Sequence, residues 1–164
     1  MIKVKRIDHV AIAVGDRDAS AGALAGLFGL APGAREHVTA QKTDVAFLGA
    51  GAECDASLEI IAPAGNEGLS RFLDRRGPGL HHVCFEVDDL PGALASLKAA
   101  GVRLIDEAPR PGARGHQVAF LHPSSTGGVL FELCSHSTTQ SSSQPASQPA
   151  SQSNSATPPH GAKA

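Results

Sequence analysis

Apolar and polar positions alternate along "IDHVAIAV" (7–14) and again along "LHHVCFEV" (80–87). A period of two predicts a half-buried β-strand in each place. Each run leads into a segment whose apolar residues recur at helical spacing, over roughly 17–28 and 90–100. Asp16 and Asp89 precede these helices as N-caps, and Gly29 and Gly101 follow them as C-caps. The short apolar runs "VAFL" (45–48 and 118–121), "LEI" (58–60) and "FEL" (131–133) read as further strands. Shorter strands are predicted near 33–39 and 103–107. A linking helix is predicted over about 66–77, and "GPGL" leads from it into the second strand–helix pair.

The order of elements is the same twice. His9 falls on His82 at an offset of 73 residues (82 − 9). The same offset places VAFL on VAFL and Glu59 on Glu132. The helices correspond with one residue of slippage. Several landmarks kept in one register indicate duplication. The predicted fold class is therefore α+β: two tandem βαβββ modules, about 5–65 and 78–136, forming one pseudo-symmetric domain over 1–136. Residues 137–164 are rich in Ser, Gln, Pro and Ala and show no apolar period. Such a stretch buries too little apolar surface to offset its ordering cost, and a disordered tail is expected.

Charge and cysteine content narrow the function classes. The 164-residue chain carries 14 Lys+Arg against 16 Asp+Glu, a formal net charge of −2, with no basic block. Nucleic-acid binding has no electrostatic support. No apolar run approaches the ~20 residues of a membrane span, and the N-terminal stretch does not have the form of a signal peptide. Three widely spaced cysteines, Cys54, Cys84 and Cys134, fit a reduced cytoplasmic setting better than a disulfide framework.

Strand alternation then sorts the histidines. Val10, Ile12 and Val14 share one face with Asp8, and His9 shares the other with Ala11 and Ala13. In the repeat, Val83, Phe85 and Val87 go with His81, and His82 goes with Cys84 and Glu86. The Val/Ile/Phe faces are expected under the helices, and His81 with them. The small side chains beside His9 and His82 leave room for a ligand. Each His lies 50 residues before its module's Glu (59 − 9 and 132 − 82). Glu59 and Glu132 sit inside apolar runs, where a carboxylate is costly unless paired or bound to a cation. Two imidazoles and two carboxylates suit divalent Zn, Co, Ni, Mn or Fe and leave coordination positions open for chemistry.

These residues bring a family into view. The segments "IDHVAIAV", "VAFLGAG", "LEIIAP", "FLDRRGPGLHHVCFEVDDL" and "RLIDEAPRPGARGHQVAFLHPSSTGGVLFEL" resemble the vicinal oxygen chelate (glyoxalase/dioxygenase) superfamily, and within it the methylmalonyl-CoA epimerases. The resemblance spans nearly all of 6–134. It implies a glyoxalase-like domain with one divalent ion (Co, Mn, Ni, Zn or Mg) in a cupped sheet, held by His9, Glu59, His82 and Glu132. It implies an acyl-CoA substrate, no nucleic-acid or membrane partner, a homodimer, and epimerisation at C2 through an enolate. Glu132 is the implied catalytic acid/base. Gln41 and the turn residues Ser125, Thr126 and Gly127 are the implied substrate contacts. The chain departs from the family in three places. Its first helix lacks aromatic residues, Ser124 stands where relatives often have Lys, and Val45 stands where some epimerases place an acid/base carboxylate.

Three other activities use the same scaffold. A glyoxalase I-like lyase acting on a thiol hemithioacetal would use the same four ligands, and substrate alone separates it. A non-catalytic binding protein need not keep an open metal site. An extradiol dioxygenase would use two His and one Glu and would not need Glu59.

Overall fold

The computed structural model describes residues 2–49 and 56–136. The 137–164 tail and Cys54 lie outside the described residues. Eight strands form one mixed sheet in the order β2-β3-β4-β1-β5-β8-β7-β6. The first module contributes β1 (Val4–Ala13), α1 (Arg17–Phe28), β2 (Ala31–Val38), β3 (Thr43–Gly49) and β4 (Ser57–Pro63). The second contributes β5 (Gly79–Val87), α3 (Leu90–Ala99), β6 (Arg110–Pro111), β7 (Gln117–Leu121) and β8 (Phe131–Ser135). The link between them is α2 (Glu67–Arg76). Strands β1 and β4 pair in parallel, as do β5 and β8, and β1 meets β5 antiparallel at the centre. The sheet order is thus palindromic about the β1–β5 seam, as the repeat predicts.

The predicted N-caps form, as does the C-cap at Gly29, whereas α3 is capped at Ala100, one residue before the expected Gly101. Asp16 accepts the Ala19 N–H at 2.9 Å, and Asp89 accepts the Gly92 N–H at 2.9 Å. Gly29 ends α1 with φ 65°, a left-handed conformation that costs a residue with a Cβ. Asn66 caps α2 by accepting the Leu69 N–H at 2.9 Å.

Two apolar layers lie under α1 and α3. Val14, Ala21, Leu48 and Ile60 form one, with Ile12 and Leu24 against it. Val87, Leu90, Leu94 and Leu133 form the other, with Phe85 and Phe131 against it. The opposite face of the sheet holds a third layer, in which Leu69 of α2 packs against Ala11, Ala13, Val45, Phe47 and Ile61. Helix α2 therefore covers part of the face that His9 and His82 share, and so becomes a wall of the site.

The strand expected near 103–107 is reduced to one bridge, Leu104 to Leu121, and the edge pairing falls instead on Arg110–Pro111. The cause is local. The N–H groups of Ile105 and Asp106 both donate to the Phe120 carbonyl, and the Asp106 carboxylate accepts the Phe120 N–H at 2.9 Å. That side chain takes a ladder position, and Pro109 and Pro111 supply no N–H donors for further pairing.

Candidate metal centre

Pairing registers bring His9, His82 and Glu132 into one group that could hold a metal ion, with Glu59 against both imidazoles. Glu59 stands beside Ala11 on one side and Phe47 on the other. Glu132 stands beside Cys84 and Phe120, the repeat equivalents of those two residues. His9 Nε2 lies 3.2 Å from Glu59 Oε2 and 3.8 Å from Glu132 Oε2. His82 Nε2 lies 3.6 Å and 2.8 Å from the same oxygens, and the two Nε2 atoms are 3.3 Å apart. With metal–ligand distances of about 2.1 Å, neighbouring ligand atoms at right angles stand about 3.0 Å apart and opposed ones about 4.2 Å. The separations among His9, His82 and Glu132 fit one coordination sphere, and Glu59 Oε2 stands within the same range of both imidazole nitrogens. All four residues are at most 5% exposed. Two carboxylates withdrawn that far from water require positive charge beside them, which a bound divalent ion would supply.

Without an ion, His9 carries the positive charge beside these carboxylates. Burial alone would lower the His9 pKa, but hydrogen bonds to Asp8 and Glu59 push it up to about 10. Burial would likewise raise Glu59, and the adjoining His9 and His82 bring its pKa below the usual value instead. A bound ion would take the place of the His9 proton.

The ring orientations come from two bulges that alternation does not predict. Between β1 and β5 the register skips Asp8 and, further along, His81. These residues are 73 apart and so occupy equivalent positions in the two modules. A bulge re-aims the extra side chain. Asp8 and His81 thus lie beside the ligands rather than with the helix-facing residues. Asp8 Oδ2 is 2.9 Å from His9 Nδ1, and His81 Nδ1 is 2.9 Å from His82 Nδ1. His81 also meets Phe72 of α2 edge-on at 4.9 Å and lines the cavity. The expectation that it faces away with Val83 and Phe85 is corrected by the bulge. Burial, and then the His82 charge, lower its pKa to about 4. Each ligand histidine has an outer partner at Nδ1, leaving Nε2 to face the centre.

Asp8 is itself 1% exposed. It accepts Arg6 Nη2 at 2.8 Å and a short contact from Arg114. These charges, with the His9 hydrogen bond, outweigh burial and hold its carboxyl well below the usual range. Arg114 adopts φ 55° and lays its guanidinium 4.0 Å from the Phe47 ring centroid. Phe47 in turn contacts His9 edge-on at 5.8 Å, and its repeat equivalent Phe120 contacts His82 at 5.1 Å. Arg114 escapes sequence reasoning. Its only local mark is a position between glycines in "GARGH".

A cavity of about 340 Å³ opens over the cluster. Glu59 and Glu132 are the only carboxylates lining it among the described residues, and Gln41, Thr43, Asn66, Arg110, Arg114 and His116 bring polar groups to its walls. Val45 lines it too, whereas Asp44 is turned outward to His37 Nδ1 at 2.8 Å. Cys134 also lines it, and Cys84 is fully buried behind. Ser125 and Thr126 stand outside this cavity, in a turn after β7. The Ser125 hydroxyl accepts the Arg103 N–H at 3.0 Å, and Thr126 Oγ1 donates to the Val129 carbonyl at 2.6 Å. Gly127 sits in the same turn with φ 69°.

A match to the model of the glyoxalase/bleomycin resistance protein/dioxygenase superfamily covers residues 8–120. The chain belongs to that superfamily. Among its relatives is the ethylmalonyl-CoA/methylmalonyl-CoA epimerase of Cereibacter sphaeroides, 35% identical over 133 residues, covering 79% of this chain and 97% of the relative. An uncharacterised protein of Bacillus subtilis, YqjC, is 39% identical over 132 residues, covering 80% and 92%. A solved structure of a Streptomyces coelicolor methylmalonyl-CoA epimerase variant in complex with 2-nitronate-propionyl-CoA superposes with a TM-score of 0.77 at 30% identity, covering 82% of this chain and 99% of that one. Superfamily membership accounts for the paired modules and the palindromic sheet. No helix among the described residues is long and apolar enough to cross a membrane.

Proposed function

We propose that this chain epimerises methylmalonyl-CoA at C2, with a divalent metal ion held by His9, Glu59, His82 and Glu132. The observation that carries the reading is the convergence of two repeat-related His/Glu pairs on one buried point beside a cavity. Epimerases among the relatives supply the substrate class.

The C2 proton of the substrate lies between a thioester and a carboxylate, and its removal leaves an enolate. The ion, when bound, would supply positive charge to the oxygens on which that negative charge develops. The protein supplies the rest. Glu132 takes the proton on one face as the general base. Return of a proton on the opposite face requires a protonated group or a water there, since Val45 offers no acid and Glu59, held ionised beside His9 and His82, has no proton to give. The Asp8 and His81 contacts at Nδ1 fix the rings so that the ligand nitrogens need no rearrangement on binding. Gln41 donates a hydrogen bond to the substrate, and the Ser125–Gly127 turn borders the path of its CoA portion. Phe47, Phe120 and Ile61 exclude water from the reacting carbon.

The test is stereochemical. The metal-loaded protein is incubated with one C2 epimer of methylmalonyl-CoA, and in parallel with the hemithioacetal of methylglyoxal and glutathione. The expected result is progressive mixing of the two epimers with no turnover of the hemithioacetal. Turnover of the hemithioacetal alone would replace the isomerase reading with a lyase.

A further inference from the structure

A second group of metal-binding donors lies behind the His/Glu cluster. The Asp8 carboxylate and the Cys84 and Cys134 sulfurs stand within 4.8 Å of one another, and all three residues are buried. Cys84 follows His82 by two positions on β5, and Cys134 follows Glu132 by two on β8, so both thiols share the ligand face of the sheet. Asp8 is turned toward that face by the β1 bulge. Val118 of β7 packs with the two cysteines. His116, also buried, precedes β7, and its ring shares a hydrogen bond with the Cys134 thiol. Cys134 and His116 line the cavity of about 340 Å³, which gives an ion a way in.

Two neighbouring thiols can join as a disulfide or hold an ion between them, and the strand register favours the ion. Cys84 pairs with Glu132, and Cys134 with Glu86. The cysteines are therefore diagonal neighbours, two residues out of register. With strands about 4.8 Å apart and a rise of about 3.3 Å per residue, such Cα atoms stand about 8 Å apart. A disulfide needs less than about 7 Å. Two sulfurs on one tetrahedral ion stand about 3.8 Å apart, against about 2.0 Å in an S–S bond, so an ion closes the longer span. Two thiolates also neutralise a divalent ion, and the complex adds no net charge to the interior. Asp8 has Arg6 and Arg114 as partners already, but its two oxygens accept on several lone pairs and can ligate while keeping them.

We propose that Asp8, Cys84, Cys134 and His116 form a second cation site, selective for thiophilic divalent ions such as Zn(II) and Cd(II). Sulfur and imidazole donors suit these ions and disfavour Mg(II) and Mn(II). Four protein donors leave no open position, so the site holds an ion without presenting it to substrate. It fills after the His/Glu centre, because its donors must first give up partners: the Cys134 thiol its hydrogen bonds to Cys84 and His116, and Asp8 part of its hold on His9 Nδ1 at 2.9 Å. Asp8 is thereby shared between the two sites. An ion at the second draws on the carboxylate that orients a ligand of the first.

The probe is Cd(II), titrated into the freshly reduced full chain. Cadmium bound through sulfur absorbs in the ultraviolet by ligand-to-metal charge transfer, whereas cadmium on imidazole and carboxylate does not, so the band reports the second site and ignores the first. It is expected to saturate at about one sulfur-bound ion per chain, to bleach on displacement by Zn(II), and to withstand excess Mg(II). The chain has a third cysteine, Cys54. Cys54→Ser should keep the whole band, and that variant leaves both buried thiols in place. A variant combining Cys84→Ala and Cys134→Ala should lose the band, with far-UV circular dichroism checking that the fold persists. A parent chain without the band, its loss in Cys54→Ser, its survival in the folded double variant, or its displacement by Mg(II) would overturn the site.

Discussion

Replacing Asp8 by asparagine removes one negative charge and almost no volume. The carboxylate is 1% exposed and serves His9 Nδ1 at 2.9 Å, Arg6 at 2.8 Å and Arg114. Removing one member of a fully buried ion pair costs about 3–5 kcal/mol. Here the Arg6 and Arg114 side chains are 31% and 28% exposed and can rehydrate, and Arg6 keeps Glu86 at 2.7 Å. The expected loss of stability in the metal-free protein is therefore smaller, about 2 kcal/mol. Metal affinity should fall about 10- to 100-fold, because the group that orients His9 loses its charge. Urea unfolding in the presence of a chelator measures the first quantity, and Co(II) titration followed by its visible spectrum measures the second. The pH dependence has a definite sign. The Asp8 pKa is depressed in the fold, so its contribution is complete above the unfolded value of about 3.9 and is lost as pH falls through the lower folded value. The stability gap between the parent chain and Asp8→Asn should stay level through neutral pH and narrow below about pH 4. An Asp8→Asn protein with unchanged Co(II) affinity and unchanged stability would refute the assigned role.

Metal binding should release close to one proton near neutral pH and tighten as pH rises, because the metal-free His9 has its pKa raised to about 10. Calorimetry in buffers of different ionisation enthalpy reads that proton. For the metal-free fold the sign is reversed: stabilisation from protonated His9 is complete below about pH 6.5 and is lost as pH rises toward its folded value. His82→Ala should abolish tight metal binding, whereas His81→Ala should retain the ion with an affinity lowered about 10- to 100-fold, as for other outer partners of a ligand. Co(II) titration separates the two, and the reverse order would invert the assignment. Leu133→Ala empties a site 1% exposed between β8 and α3, and should cost about 2–5 kcal/mol in denaturant unfolding. Asp89→Ala removes the α3 N-cap and should cost about 1 kcal/mol by the same assay.

The clustering of these His and Glu side chains was legible in the sequence because duplication wrote it twice. His9 and His82, Glu59 and Glu132, and the two VAFL strands stand at one offset, and the fold turns that offset into pseudo-symmetry about the β1–β5 seam. Capping residues at Asp16 and Asp89 were equally visible, since an N-cap is a local feature. Alternation misplaced Asp8 and His81. It assumes an unbroken register, and the two bulges that re-aim these side chains are set by pairing between β1 and β5 rather than by either strand alone. The strand near 103–107 gave way to a hydrogen bond that the Asp106 carboxylate accepts from the Phe120 N–H, which no period reports. Arg114 reaches Asp8 from 106 residues away, through a left-handed backbone conformation that arginine rarely adopts. Contacts of that range depend on the closed sheet and leave no local pattern.

The most direct test of the whole account is incorporation of deuterium at C2. Methylmalonyl-CoA is incubated in D2O with the full chain, loaded with Co(II) or stripped by chelator, and the C2 proton is followed by NMR. The account predicts loss of the C2 proton with the loaded protein, and exchange at the buffer rate with the stripped protein and with Glu132→Gln. Exchange at the buffer rate with the loaded parent chain, or full exchange retained in Glu132→Gln, would contradict it.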